Sequence, residues 1–298
     1  MASEPQPTEP PWVGPDQLSD ALIPIHYDVF MRMPTASMGH IDRRQTETFR
    51  GSVEIQLRCA RPTTELFFNA VDLRVDKDTL SMRETDSDRS TGVERVLEDK
   101  KTGIWGVFLD NSTVRGRNYK LRIGHFEGEL SLKLGEGALF RYDYYDQHLR
   151  KHIFGVVSQS EVQPFFPSFN EPQFPADFTL TVDRELSLRS FTNAEHSRKY
   201  DIRPKLYRVT DYFEAVRSVL PSNVTLVQMA LYQYADVGIN QIFVRSSEFA
   251  RAVQFARTST ELRENTLGNK AKVFFVPLRN LRPKWHPGLA ILSESLLL

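Results

Sequence analysis

The chain has 298 residues, enough to bury a sizeable core in one large domain or two smaller ones. Its 38 Lys and Arg balance its 38 Asp and Glu with no strong block of either sign, which argues against nucleic acid or an anionic membrane surface as the main partner. The single cysteine, Cys59, excludes an internal disulfide framework and fits a reducing compartment, and no run approaches the ~18 apolar residues of a membrane span.

Residues 1–18 are Pro-rich and acidic and read as a disordered tail. The tail has no apolar h-region, so no secretory signal is visible and a cytoplasmic location is expected. The sequons at Asn111 and Asn223 are then chance matches. After Leu22, the alternation of Tyr27, Val29, Met31 and Met33 predicts a half-buried strand, with His26 packed on it as a structural residue. Phe49 to Cys59 is the clearest strand. Val53, Ile55, Leu57 and Cys59 face one way, and Glu54, Gln56 and Arg58 the other, so Cys59 is expected to be a buried thiol. Residues 84–103 are polar and without period, which predicts an exposed loop. Tyr119, Leu121 and Ile123 open another alternating strand, continued to Gly128 and followed by Leu130, Leu132 and Leu134.

The stretch Ser158–Phe178 holds four prolines, which remove backbone donors and exclude a helix or a central strand. Phe165, Phe166, Phe169, Phe174 and Phe178 are too apolar for a solvated loop, so a rigid, buried, turn-rich connector is expected. Phe178, Leu180 and Val182 then alternate as a strand. The texture changes after residue 236. Ile239 to Val244 reads as a strand, and Ser246 or Ser247 as the N-cap of a helix with Glu248 in its first turn. Phe249, Ala252, Val253 and Ala256 fall on one helical stripe, with Gly268 as the stop and Val273–Val276 as a buried strand. No internal repeat occurs. Many strands with turn signals and one good helix predict a mainly β chain, a sandwich or saddle with a short α+β appendage.

Several of these pieces resemble the aminopeptidase N-like zinc metallopeptidases. Gln159-x-Glu161, then Phe166-Pro167-x-Phe169-Asn170-Glu171-Pro172-x-Phe174-x-Ala176-x-Phe178, is similar to that family's T-Q-x-E followed by F-P-C-F-D-E-P-x-F-K-A-x-F. Ser168 and Asn170 depart from its Cys and Asp, the insert after Glu161 is shorter, and its Arg is missing. Pro24-x-His26-Tyr27-Asp28 resembles the words that open the family's N-terminal domain, and Phe49-x-Gly51-x-Val53-x-Ile55 resembles its F-x-G-x-V-x-I strand. Thr64–Ala70 stands where the family has a short apolar strand, Gly137–Tyr144 resembles its G-L-Y-R-S-x-Y turn, and Val224–Leu231 the strand that closes its first domain. The resemblance implies a saddle-like β-sandwich of the aminopeptidase N type over residues 19–236, then the truncated beginning of a peptidase catalytic domain over 237–298.

Enzymes of this family hold one zinc with H-E-x-x-H and a later Glu, and the Glu beside the first His acts as general base on the metal-bound water. None of the seven histidines here is followed by Glu, and the i, i+4 pair His148–His152 encloses Arg150 and Lys151 in place of a base. No metal site and no cofactor is therefore expected. The family also grips the substrate's amino terminus with a G-x-M-E-N loop. Gly288–Leu297 matches the strand after that loop, up to the conspicuous Glu294, but the loop itself reads Arg282-Pro-Lys-Trp-His-Pro287. Trp285 takes the carboxylate position, and Lys284 beside it would repel an ammonium group. By the resemblance, Glu161 and Gln159 alone remain to hold a peptide amine.

The expected function is thus that of a non-catalytic relative that binds peptides or a protein partner. Without a covering catalytic domain an apolar face is expected to stay open, which a homodimer or a partner protein would cover. The alternative is a zinc-dependent metalloaminopeptidase whose catalytic part lies on a longer product or a separate chain. A third reading is a decaying duplicate with no selected function.

Overall fold

A computed structural model describes residues 12–35, 47–87, 91–146, 150–158, 163–260, 262, 270–277 and 281–297. The predicted fold class holds: the chain is mainly β, a saddle-like β-sandwich domain followed by a short α+β unit.

The largest sheet has nine strands. Its spine runs β13 (His196–Arg203), β14 (Arg208–Phe213), β11 (Ala176–Glu185), β1 (Leu22–Arg32), β2 (Thr48–Cys59), β8 (Asn118–Glu129) and β4 (Leu73–Val75). Off this path, β15 (Val216–Val219) pairs with β11, and β5 (Leu80–Glu84) with β8. Tyr27, Val29 and Met31 of β1 and Val53, Ile55 and Leu57 of β2 all point inward and are buried, as their alternation requires. Cys59 is buried in the same row, its thiol donating to Arg61 O and Thr113 Oγ1. The opposite rows of these strands face outward. His26 lies there half-buried, its Nε2 within 3.2 Å of Asp28 Oδ1 and 3.1 Å of Thr179 Oγ1.

A three-stranded sheet of β3 (Glu65–Asn69), β7 (Ile104–Leu109) and β6 (Val93–Asp99) closes over the same core. It overturns the exposed loop expected at 84–103. Val93, Val96 and Leu97 are partly buried against β7, whose own run Ile104-Trp105-Gly106-Val107 is buried on both faces. The described part of the expected tail is packed as well. Trp12 stacks on Phe67 at 6.2 Å, Leu18 is buried, and the Leu18 amide donates to Glu171 Oε1 at 2.6 Å. Two apolar side chains and one long-range hydrogen bond outweigh the local Pro-rich composition there. Residues 1–11 lie outside the described part.

A four-stranded sheet, β12 (Arg189–Thr192), β16 (Leu226–Met229), β10 (Lys151–Ser158) and β9 (Leu139–Asp146), forms the second layer. The G-x-L-F-R segment expected as a turn is therefore largely strand β9, while Leu132 and Leu134 lie half-exposed in the loop before it. On this layer packs the C-terminal sheet, β17 (Tyr232–Val237), β18 (Asn240–Arg245), β19 (Lys272–Val276), β21 (Leu289–Ser293) and β20 (Lys284–His286). Its first strand begins before the expected boundary at 237. The switch is the tight connection from β16 to β17, where Leu231 adopts a left-handed φ of 52°. Helix α1 (Phe249–Thr258) covers the far face. Neither Ser246 nor Ser247 caps it, because Ser246–Glu248 forms a 3-10 turn that places Glu248 at the cap position without a side-chain bond. Gly268, the expected helix stop, lies outside the described residues.

The joint between the layers holds an acid-sensitive residue. His196 packs its ring on Phe213 at 4.4 Å and bonds Ser190 O through Nε2 at 2.9 Å. Burial pushes its pKa below the ordinary value, with the Ser190 carbonyl opposing in part. The folded state thus favours neutral imidazole, so the stability it contributes is full above about pH 6.5 and is lost as pH falls from there through the folded value. His26 has the opposite sign, since its bond to Asp28 raises it, and its contribution fades as pH rises. The His196→Phe variant is expected to lose less thermal midpoint than the wild type between about pH 7.5 and about pH 5.5. Equal losses in the two proteins would rule His196 out as the source.

Candidate functional site

Gln159 and Glu161, the two expected amine contacts, lie outside the described residues, but the chain on either side of them is anchored by hydrogen bonds. Ser158 ends β10 fully buried, its hydroxyl donating to Leu226 O at 3.1 Å and accepting from Leu226 N at 2.7 Å. On the far side, Gln163 Nε2 donates to Val71 O at 2.8 Å. The connector then runs through the core as its composition predicts, with Phe165, Phe166, Phe169 and Phe174 each at most 2% exposed. The Phe169 amide donates to the Tyr27 hydroxyl at 3.1 Å, and Asn69 and Ser168 exchange both backbone bonds. Prolines deprive this segment of strand partners, so the Ser168, Phe169 and Asn170 amides are satisfied one by one from β1 and β3. Ser168 is fully buried with its Oγ unpartnered among the described residues, which fits a position shaped for a small, weakly polar side chain. Asn170 donates its amide to Asn69 Oδ1 at 3.0 Å.

The segment expected as the altered loop, already without its amine-binding carboxylate, contains an edge strand. Lys284, Trp285 and His286 form β20 and pair with Ile291, Ala290 and Leu289 of β21. Trp285, half-buried, packs against the apolar cluster under α1 that holds Ala290 and Phe275, and brings no carboxylate to that point. Glu294, just past the end of β21, is 8% exposed and held by Arg245, whose Nε lies 2.9 and 2.8 Å from its two oxygens. The Arg245 guanidinium also covers the Tyr144 ring of β9 at 4.9 Å, which ties the C-terminal sheet to the layer beneath. Burial pushes the Glu294 carboxyl up more than Arg245 pulls it down, whereas the same contact raises Arg245. The two-pronged geometry and an always-charged guanidinium make this contact an ion pair at neutral pH. No sequence spacing pointed to Arg245, because the partners are brought together only by β18 and β21 flanking β19.

His148 lies outside the described residues, and His152 sits in β10 opposite Tyr145. Among the described residues, no group of three His, Cys, Asp or Glu side chains is placed to hold a metal ion. No helix of the described residues is long and apolar enough to cross a membrane.

Residues 23–216 match the family described as the Peptidase M1 N-terminal domain. Among curated proteins, the chain is 27% identical to aminopeptidase Q of Felis catus over 243 residues, covering 76% of this chain and 22% of that protein. It is 29% identical to the human thyrotropin-releasing hormone-degrading ectoenzyme over 185 residues, 59% of this chain and 15% of the relative. Bovine aminopeptidase N is 24% identical over 149 residues, 49% of this chain and 15% of the relative. The chain thus spans between 15% and 22% of the length of these three relatives.

Proposed function

The chain belongs to the peptidase M1 family by its N-terminal domain, and from that premise we propose that it acts as a non-catalytic member that binds peptides or a protein partner. The observation that carries this reading is the fate of residues 284–286. Where the resemblance places an ammonium-binding carboxylate, this chain has an edge strand with a half-buried indole packed against the cluster under α1 and a lysine beside it. Glu294 is committed to Arg245. Gln159 and Glu161 are left as the groups we assign to a peptide's amino terminus. The described residues offer no ligand set that fits zinc, so no hydrolytic step is derived for this chain. We place it in the cytoplasm with Cys59 reduced, and assign the cover of its open surfaces to a homodimer or a protein partner.

The test is a paired assay on the purified chain supplied with zinc. Leucine p-nitroanilide is expected to be hydrolysed no faster than in buffer, while a peptide with a free amino terminus binds in calorimetry and Glu161→Gln weakens it. Hydrolysis above background, or binding indifferent to Glu161, overturns the reading. The greater length of the relatives favours a second one, in which this domain serves a longer zinc-dependent metalloaminopeptidase or a separate catalytic chain. An intact native mass well above 34.4 kDa would decide for that reading over the first.

A further inference from the structure

The outer face of the nine-stranded sheet carries a trough of about 800 Å³. It crosses six strands, from β8 through β2, β1, β11 and β14 to β13. Five strand spacings of ~4.8 Å make it about 24 Å long. Sheet register builds its floor. Phe30 of β1 sits directly between Ser52 of β2 and Thr181 of β11, and Thr181 is in turn opposite Tyr212 of β14. The neighbouring row runs Arg122, Glu54, Asp28, Thr179 across the same strands. Phe30 is 37% exposed, a large apolar side chain at the centre of an otherwise polar surface.

Several of the trough's charged groups have partners within the protein, whereas Arg122 lies exposed at its β8 end. Glu54 accepts from Lys120 at 2.7 Å, Asp28 bonds His26, Tyr212 donates to Asp201 at 2.7 Å, and Arg203 reaches the buried Asp183 at 2.7 Å. What faces outward is a set of hydroxyls around one aromatic ring, with the exposed Arg122 at one end and Asp201 and Arg203 at the other. A protein surface seated here would meet Phe30 as its main exposed apolar contact, too little to exclude water from an interface. An extended peptide would find the backbone groups below it spent on the sheet ladder. Hydroxyls both donate and accept, an aromatic face takes an apolar ring surface, and the exposed Arg122 can meet an acidic group, so the lining suits a long, hydroxyl-rich ligand that is neutral or carries an isolated acid.

We propose that this trough is a carbohydrate-binding surface, which takes an oligosaccharide lying across the strands with one sugar ring against Phe30 and its hydroxyls shared with Ser52, Thr181 and Tyr212. The occupant is an oligosaccharide and not a peptide, and the site is independent of the peptide reading above.

The test is a printed array of neutral, sialylated and sulfated oligosaccharides, followed by calorimetry with the tightest binder. The wild type is expected to bind at least one neutral or sialylated glycan, and Phe30→Ala to weaken that binding by roughly tenfold or more. The double variant Ser52→Ala/Thr181→Val, which keeps the floor's shape, is expected to weaken it as well, so that the result does not depend on Phe30→Ala alone. Thermal midpoints of both variants separate lost binding from lost fold, and Val114→Ala, exposed elsewhere on the domain, should leave affinity unchanged. No glycan bound by the wild type, binding confined to sulfated glycans and abolished by salt, or affinity unaltered in both trough variants would each overturn the proposal.

Discussion

Phe274→Ala is expected to release the C-terminal sheet from the β domain and to cost about 3–5 kcal/mol of stability. Phe274 is fully buried in β19, the middle strand of that sheet. It stacks on Phe243 of β18 at 4.6 Å and meets Phe191 of β12, in the layer beneath, at 5.0 Å. Phe191 also touches Phe243 at 4.8 Å, so truncating Phe274 opens a cavity in an aromatic triangle that spans both layers. The polar contacts around it depend on the same approach. Lys272, buried two residues earlier, donates to the carbonyls of Thr192 and Ala194, and Asn193 Nδ2 donates to Pro287 O at 2.7 Å. Gly288 lets the backbones come this close: its φ is +78°, and a Cβ there would stand 3.0 Å from Asn193 O. Burial pushes the Lys272 amine down, so once separated from its carbonyls it gains by returning to water. Urea unfolding should change from one transition to two, the first lost to limited proteolysis after β16. A single transition at the wild-type midpoint would mean that the aromatic triangle does not hold the layers together.

The strands that bury one face were legible from the sequence because period-2 alternation is a local signal. Val53, Ile55, Leu57 and Cys59 are buried as their spacing predicts. β6 was missed since Glu94, Arg95 and Glu98 interrupt the pattern and its Val and Leu residues are only half covered. An edge strand needs one partner, and that partner is eleven positions away in register, Val96 to Val107. The Phe-rich connector was legible from its composition alone: prolines exclude ladders and phenylalanines exclude solvent, which leaves a buried irregular path. The helix stripe was readable, but its start was not, because a 3-10 turn displaces the cap by one to two residues. The trough was invisible, since each strand contributes only one or two of its outward residues and only the sheet order β8-β2-β1-β11-β14-β13 sets them side by side. The Glu294–Arg245 pair was hidden for the same reason.

Asp183→Asn is expected to cost about 3 kcal/mol, the lower end of what breaking a buried ion pair costs. The Asp183 carboxylate is 1% exposed and meets three guanidinium groups, Arg203 at 2.7 Å, Arg208 at 3.0 Å and Arg32 at 3.3 Å. These three are not equivalent. Arg32 and Arg203 are 51% and 41% exposed and can turn to water, so their loss is small. Arg208 is 6% exposed and cannot. It keeps hydrogen bonds to Met33 O at 2.7 Å and Asp183 O at 2.8 Å, which is why the cost stays near the lower bound. Adding Arg208→Met to Asp183→Asn should recover a large part of the loss, because the stranded charge is then gone. The penalty should also resist added salt, which screens exposed pairs far more than buried ones. A loss under about 1 kcal/mol, or one that salt erases, would make this an ordinary surface pair. The same substitution bears on the trough. Arg203 lines it, and below it lies Asp183, the carboxylate it shares with Arg208 and Arg32. With that carboxylate gone the trough gains a positive charge, so Asp183→Asn should shift its preference toward sialylated or sulfated glycans and away from neutral ones.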